Sequence, residues 1–289
     1  MFRLTLLLLL CLVLTAQCAQ CAKPKPAADE IALFLKACAN GDILTVRDAL
    51  NSRSNQELLA ARNASGFSAL DLAASGGRVN CVTMLIAAGA QANAKGKDGR
   101  TPLFWAVAAG RKDCAELLIG KGADTNLADK DGATPLHVAV NLNRKDCVEL
   151  LIAKGALLNA MNNYGFTPLH VASANGSKDL AQMLIDKGAA VQSVARDGQT
   201  PLHAAACMSS EDCAELLIAR GADVNARAKD GITPLHAAAS HGAVAVAELL
   251  IARRADTNAA DKDGATPLAM ALRRNDYAMI DLLTKHGAR

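Results

Sequence analysis

Residues 131–137 read Asp-Gly-Ala-Thr-Pro-Leu-His, and this stretch recurs with variations at a period of 33 residues. Its glycine has equivalents in strict register, without insertion or deletion between them: Gly66, Gly99, Gly132, Gly165, Gly198, Gly231 and Gly264. Self-similarity at such a period indicates an array of small units that stack in one dimension. The length of 289 residues therefore counts units and requires no single large core.

Within one unit the sequence predicts a pair of short helices. Thr134 stands at an N-cap position and Pro135 at the first helical position, where the missing proline N–H costs nothing. Asn143 takes the place that a glycine holds in other units, and both residue types tolerate left-handed backbone, so a tight turn is expected there. The second helix is predicted at about 145–154, with apolar residues at three- and four-residue spacing and Gly155 as its cap.

This pattern resembles the ankyrin repeat in its period, its Thr-Pro-Leu-His tetrapeptide and its helix pair. The resemblance covers about residues 29 to 289 and implies an all-α fold, an α-solenoid of stacked helix pairs with β-turn loops. Each pair buries its apolar face only against neighbours, so the end units should differ from the others. The implied units are an N-terminal capping repeat at 29–64, repeats at 65–97, 98–130, 131–163, 164–196, 197–229 and 230–262, and a C-terminal capping repeat at 263–289.

The N-terminal residues form a segment of a different kind. A positive start at residues 1–3 precedes an apolar run of 13 residues, Leu4 to Ala16, that ends among small residues. This arrangement predicts a signal peptide at 1–22, removed on export, and a short extended linker at 23–28. A retained membrane helix is the weaker interpretation, because a span needs about 20 apolar residues. We therefore expect a periplasmic or secreted protein.

Two cysteines near the end of this segment leave another location open. Cys18 and Cys21 follow the apolar run closely, as the lipidated cysteine does in a bacterial lipoprotein. Both come directly after a glutamine, where the lipoprotein pattern prefers a small residue. A membrane-anchored lipoprotein is thus the alternative, and contact with a membrane is expected only if the segment is retained or lipidated.

The composition describes the interior and argues against one class of partner. Hydrophobic residues make up 51% of the chain and aromatic residues only 3%, so the interior must consist of alanine, leucine, isoleucine and valine. The net charge of +3 arises from 31 basic and 28 acidic residues, which alternate within each unit. A nucleic-acid-binding protein would concentrate its basic residues in a patch. We therefore expect no nucleic-acid partner.

Four histidines occupy the same position in successive units: His137, His170, His203 and His236. Stacked helices lie about 8–10 Å apart, so equivalent imidazoles cannot share a zinc ion that requires bonds of about 2.0–2.1 Å. The resemblance implies a structural role, in which this histidine hydrogen-bonds near the turn. No G-x-S-x-G, H-E-x-x-H or phosphate-loop pattern occurs in the sequence. We therefore expect no catalytic residue, no metal and no cofactor.

A set of cysteines also shares one position, and leucine, valine or methionine takes that position in other units. The members are Cys81, Cys114, Cys147 and Cys213. These substitutes indicate a buried apolar position, where a free thiol acts as a small hydrophobic group. The spacing of stacked helices exceeds the roughly 7 Å that a disulfide can bridge between Cα atoms. The alternative is a bridge between Cys207 and Cys213, which lie on facing helices of one unit.

Some positions vary from unit to unit because packing does not constrain which residue they hold. We expect function at these positions. In ankyrin repeats the variable positions lie at the turn tip and the inner helix and line a concave groove. The residue after each turn glycine and the end of the first helix vary in this way, and mixed aromatic, flexible apolar and polar groups are typical of interface centres. The predicted partner-binding residues are Arg100, Asn141, Leu142, Tyr164, Phe166, Asn175, Gln199, Met208, Ile232 and His241.

Three residues allow a structural interpretation as well. Tyr164 and Phe166 could pack against the neighbouring turn, and Trp105 is expected between helices because its equivalents are aliphatic or alanine. The interpretation we favour is a non-catalytic, monomeric scaffold that binds a partner protein in its concave groove. An inhibitor or protector of an exported enzyme and a membrane-tethered scaffold are the alternatives.

Overall fold

The computed structural model describes residues 26–52 and 54–289, and over these residues the chain folds into short helices. The predicted signal peptide at 1–22 lies outside the described residues, together with residues 23–25 of the predicted linker. No helix in the described part of the chain has both the length and the apolar character needed to cross a membrane.

The helices alternate between two kinds. The first helices are α4 Ala69–Ser75, α6 Pro102–Ala108, α8 Pro135–Asn141, α10 Pro168–Ala174, α12 Pro201–Cys207, α14 Pro234–His241 and α16 Pro267–Arg274. The second helices are α5 Val79–Ala87, α7 Lys112–Gly120, α9 Lys145–Ala153, α11 Lys178–Asp186, α13 Glu211–Ala219, α15 Val244–Ala252 and α17 Tyr277–Lys285. The predicted all-α solenoid of stacked helix pairs is confirmed.

The N-terminal unit departs from this pattern. It contains α1 Ala28–Asn40, α2 Ile43–Ser52 and a short extra helix, α3 Asn55–Ala60. Gly41 ends α1 with a left-handed φ of 84°, as the glycines between paired helices do elsewhere. Leu58 of α3 is fully buried, so the extra helix completes the apolar interior at this end.

Each first helix begins as the sequence indicates. Thr134 is the N-cap of α8 with extended backbone, and Pro135 is the first helical residue. The imidazole Nδ1 of His137 accepts hydrogen bonds from the Thr134 amide at 3.2 Å and its hydroxyl at 2.9 Å. Its Nε2 donates to the Phe166 carbonyl of the next unit at 2.9 Å. The expected structural role of this histidine is thereby confirmed.

The turns that precede the first helices are linked to one another by main-chain hydrogen bonds. The amide of Asn163 donates to the Asp131 carbonyl at 2.9 Å, and the amide of Arg196 donates to the Tyr164 carbonyl at 3.0 Å. The same bond joins the turns on either side of these. The array of turns is therefore a continuous row of hydrogen-bonded tips, and it fixes the spacing of whatever side chains those tips carry.

The core runs through the stack between the two helix layers. Leucines of the tetrapeptide and of the second helices are fully buried, among them Leu136, Leu151, Leu169 and Leu184. Burial of each such side chain contributes roughly 1.5–3 kcal/mol. First helices of neighbouring units pack more closely than second helices do. The first helices thus form one closely packed layer of the stack, and the second helices form the other.

The cysteine position lies in this core, as predicted. Cys81, Cys114, Cys147 and Cys213 are all buried and carry free thiols. Burial raises the pKa of each thiol, to about 11 for Cys114 and Cys213, so the reactive thiolate is suppressed. Cys207 is half-buried and is also free, so it forms no bridge to Cys213.

Arg254 adopts a left-handed φ of 66° at the turn where Gly122, Gly155, Gly188 and Gly221 end the equivalent helices. This conformation costs a residue with a side chain about 1–2 kcal/mol relative to glycine. We therefore expect Arg254→Gly to stabilise the protein by about 1 kcal/mol, measured by thermal or urea unfolding.

Asn275 offers a matched control because its φ is 55° and asparagine tolerates this region better than arginine. Asn275→Gly should give a smaller gain. A lower melting temperature for Arg254→Gly would show that the arginine side chain makes a stabilising contact that outweighs its backbone strain.

Candidate functional site

Turn tips and first helices share one face of the molecule, which we call the inner surface. It comprises the tips at 96–100, 129–133, 162–166, 195–199 and 228–232 and the accessible sides of the first helices. Ring contacts show that the two parts adjoin: Phe166 at a tip lies 5.5 Å from His170 in α10, measured between centroids.

The predicted site residues all lie in the turn tips or at the ends of first helices on this surface. Tyr164 is 66% exposed, Met208 62% and Leu142 42%. Polar members of the set are exposed as well: Asn141, Asn175 and His241. The half-buried members are Arg100, Phe166, Gln199 and Ile232.

Tyr164 and Phe166 form the centre of this surface. Their rings stack with centroids 6.2 Å apart, and Phe166 rests on His170 of its own unit. The Asn162 side-chain oxygen accepts from the amides of Tyr164 at 2.9 Å and Phe166 at 3.0 Å, which fixes the turn. The alternative of packing against a neighbouring turn therefore does not account for Tyr164, which stacks on Phe166 and leaves most of its surface accessible.

The ends of the first helices are also held in place across units. The Asn175 side-chain nitrogen donates to the main-chain carbonyl of Asn141 at 3.1 Å and lies 3.3 Å from its side-chain oxygen. Leu142 and Met208 are the C-cap residues of α8 and α12, so each projects where its helix ends. Two amides linked by hydrogen bonds thus join the first-helix ends of neighbouring units, beside the exposed Leu142.

Two exposed apolar residues directly beside the inner surface were missed by sequence reasoning. Met161 is 56% exposed and Val194 is 52% exposed, and they occupy equivalent positions just before successive turn tips. The signal was available, because Lys95 and Arg227 hold the same position in other units. A change from a charged to a large apolar residue at an exposed position marks a candidate contact.

The expectation that Trp105 fills the space between helices is wrong. Its ring is half-buried on the inner surface, where its centroid lies 4.6 Å from that of Phe67 in the preceding turn. Equivalent Val138 and Val171 are also only half-buried, so this position lies at the edge of the core in several units. An indole placed at that edge must extend over the neighbouring turn.

Arg100 joins the same aromatic group. Its guanidinium carbon lies 4.9 Å from the Phe104 centroid and 5.2 Å from that of Trp105, and its Nε lies 3.3 Å from the Asp129 carboxylate. Cation–π contact and the ion pair together hold this arginine against the surface. The structure thus places Arg100 away from the Tyr164 centre, in a second aromatic group nearer the N-terminal end.

The repeated histidines have no capacity left for a ligand. Nδ1 accepts from the threonine N–H and Nε2 donates to the carbonyl of the next unit in all four: His137, His170, His203 and His236. Burial lowers the pKa of each, to about 4 for His170. Among the described residues no three histidine, cysteine or acidic side chains are grouped as metal ligands would be.

Comparison with known families agrees with this architecture. A family profile described as ankyrin repeats in three copies matches residues 34–129, 88–162, 119–195, 155–228 and 221–289. The chain therefore belongs to the ankyrin-repeat family. Ankyrin repeats are generally protein–protein interaction modules and are typically not catalytic. A search of curated proteins gives no match.

Proposed function

We propose that this protein binds a partner protein through the middle of its inner surface and performs no catalysis. The supporting observation is where exposed apolar groups lie. Eleven large apolar side chains are exposed among the described residues, and six of them fall between residues 142 and 208. Leu142, Tyr164 and Met208 lie on the inner surface, Met161 and Val194 directly precede its turn tips, and Leu157 follows α9 outside it. Exposed apolar groups in proximity are typical of interaction sites.

The chemistry of this region suits a protein interface. Tyr164 supplies a large, rigid ring, and Met161 and Met208 supply flexible, polarizable side chains that adapt to a partner. Asn141, Asn175 and Gln199 provide hydrogen-bonding groups around them. An interface centre with apolar anchors and a polar surround has this composition.

The surface is also ordered before binding. Main-chain hydrogen bonds between turn tips and the stacked rings of Tyr164 and Phe166 fix its geometry. Association then costs less conformational entropy than it would for a flexible loop. We expect the protein to bind as a monomer with little rearrangement of its backbone.

The compartment of the partner rests on residues 1–22 alone. Their apolar run favours export, so the proposed partner is a periplasmic or extracellular protein. An exported enzyme that this protein inhibits or protects is one form of such a partner. A membrane-tethered scaffold is the form that retention or lipidation of the segment would produce.

Capture from exported and membrane fractions tests the binding surface. The bait is the protein with a C-terminal tag, beside a variant in which Leu142, Tyr164, Phe166 and Met208 are changed to serine. We expect the variant to lose the partner, because burial of a Leu, Met or aromatic side chain contributes roughly 1.5–3 kcal/mol. Circular dichroism establishes that the variant remains folded.

The matched control changes exposed apolar residues of the second helices in the two end units, away from the central repeats. Leu44 in α2 and Tyr277 in α17 are 61% and 79% exposed and belong to second helices. Leu44→Ser with Tyr277→Ser should retain the partner. Equal capture by the inner-surface variant and the unmodified bait would refute the proposal.

A further inference from the structure

A buried carboxylate occupies the repeat position that holds a histidine in four other units. Asp71 stands in α4 where His137 stands in α8, and its side chain is only 2% exposed. Its Oδ2 accepts from the Ser68 amide at 2.8 Å and the Ser68 hydroxyl at 2.7 Å. Its Oδ1 is buried and has no hydrogen-bond partner. A buried acceptor without a donor is costly and requires an explanation.

The substitution also opens space. In α8 the imidazole of His137 spans to the Phe166 carbonyl of the next unit, but an aspartate side chain is shorter and has no donor when ionised. A pocket of about 50 Å³ lies here, lined by Asp71, Phe67, Trp105, Lys97, Asp98 and Arg100 among others. A single water needs only about 10–15 Å³ measured this way. The pocket can therefore hold the tip of a side chain.

No described cation donates a hydrogen bond to the free oxygen, although Lys97 and Arg100 line the pocket. Arg62 lies 3.5 Å from Oδ2 and donates to the Gly66 carbonyl at 3.0 Å and the Lys95 carbonyl at 3.4 Å. Arg100 is bonded to Asp129 and lies against two aromatic rings. Oδ1 of Asp71 is left as a buried acceptor without a donor, in a residue that lines a pocket with aromatic walls.

We propose that this pocket receives the ammonium group of a lysine side chain carried by the partner protein. Ammonium is a compact cation with three donors, whereas guanidinium is planar and broader. The carboxylate oxygen offers a charge-assisted hydrogen bond, and the rings of Phe67 and Trp105 favour a cation beside them. The pocket lies at the N-terminal end of the inner surface, so the proposal rests on the proposed function and adds a basic residue to the partner.

The single tryptophan of the chain makes the test direct. Trp105 lines the pocket, so its fluorescence reports on occupancy. The probe is n-butylammonium chloride, with butan-1-ol as the neutral analogue and sodium chloride as the control for ionic strength. We expect a saturable millimolar response to the amine alone, weakened at least about tenfold in Asp71→Asn, because the variant loses the charge-assisted bond.

Asp71→His provides a variant that should fold well. It restores the residue found in α8, α10, α12 and α14, and its imidazole would fill the pocket. We expect this variant to melt at a higher temperature and to lose the amine response. An unchanged response in Asp71→His, or a wild-type response equalled by butanol or sodium chloride, would overturn the pocket assignment.

The titration requires no partner, so its outcome is independent of the capture experiment. A variant that loses the partner through Leu142, Tyr164, Phe166 and Met208 should still bind the amine. Failure of the pocket would leave the central surface intact as a binding site, and failure of the central surface would leave the amine response unchanged.

Discussion

Gly165→Ala should destabilise the protein by roughly 3 kcal/mol, about three times the cost of the same change at Gly264. Both glycines occupy the same repeat position, in the turn before a first helix, and their φ angles are 84° and 79°. An alanine Cβ at 165 would meet the Arg196 amide nitrogen and lie 3.0 Å from the Ala195 carbonyl carbon. At 264 it would meet nothing within 4 Å.

The difference isolates the contact between turns from the backbone strain. Alanine at either site adopts an unfavourable left-handed conformation, at a cost of about 1 kcal/mol. Only at 165 must the next turn also move, and Arg196 there donates its amide to the Tyr164 carbonyl. Urea unfolding of the two variants measures both costs: Gly264→Ala gives the backbone strain, and the additional loss in Gly165→Ala gives the clash with the next turn. Equal losses of stability would show that the turns adjust freely to one another.

Acidification should destabilise the fold well before ordinary carboxylates titrate. Burial lowers the pKa of His170 from 6.5 to about 4, and burial lowers the pKa of three equivalent histidines. Above pH 6.5 both folded and unfolded states hold neutral imidazoles, so this contribution is constant. Below that pH the histidines bind more protons in the unfolded state than in the folded state, so the free energy of unfolding decreases as the pH falls.

The size of the effect follows from the pKa difference. Each pKa unit corresponds to about 1.4 kcal/mol, so His170 alone should cost roughly 2 kcal/mol at about pH 5. Protonation would also disrupt the local geometry, because Nδ1 already accepts from the Thr167 amide at 3.1 Å. Urea unfolding at neutral pH and at about pH 5 gives the difference.

Glutamine at 170 retains a donor and an acceptor but does not titrate. His170→Gln should be less stable at neutral pH and should lose less stability on acidification. His241→Gln is the matched control, because His241 is exposed at the end of α14. A pH dependence unchanged by His170→Gln would show that other groups cause the acid sensitivity.

The sequence was most informative where each unit repeats the same local structure, such as the start of a helix or a buried core position. Thr134, Pro135 and His137 specify the start of a helix through contacts within a few residues, and the cysteine position is defined by its apolar substitutes. Such features depend on neighbours along the chain, so periodicity alone predicts them. The exposed positions at the turn tips and helix ends followed from the same register.

What the sequence did not show depends on contacts between different units. The position of Trp105 required knowing that Phe67 of the preceding turn lies beneath its ring. The free oxygen of Asp71 follows from a missing imidazole together with the packing of the next turn. Periodicity identifies equivalent residues, but it does not show how far one side chain reaches into the next unit.

The bond from each histidine to the following turn has a direction. His137, His170, His203 and His236 all donate forward, to a carbonyl 29 residues later. On the ribosome, each of these four units therefore gains its histidine bond to the next unit only after that unit's turn has been synthesised. Until then the imidazole of the newest of these units lacks one partner, whereas the unit that begins at Asp263 has no such dependence because Ala269 replaces the histidine.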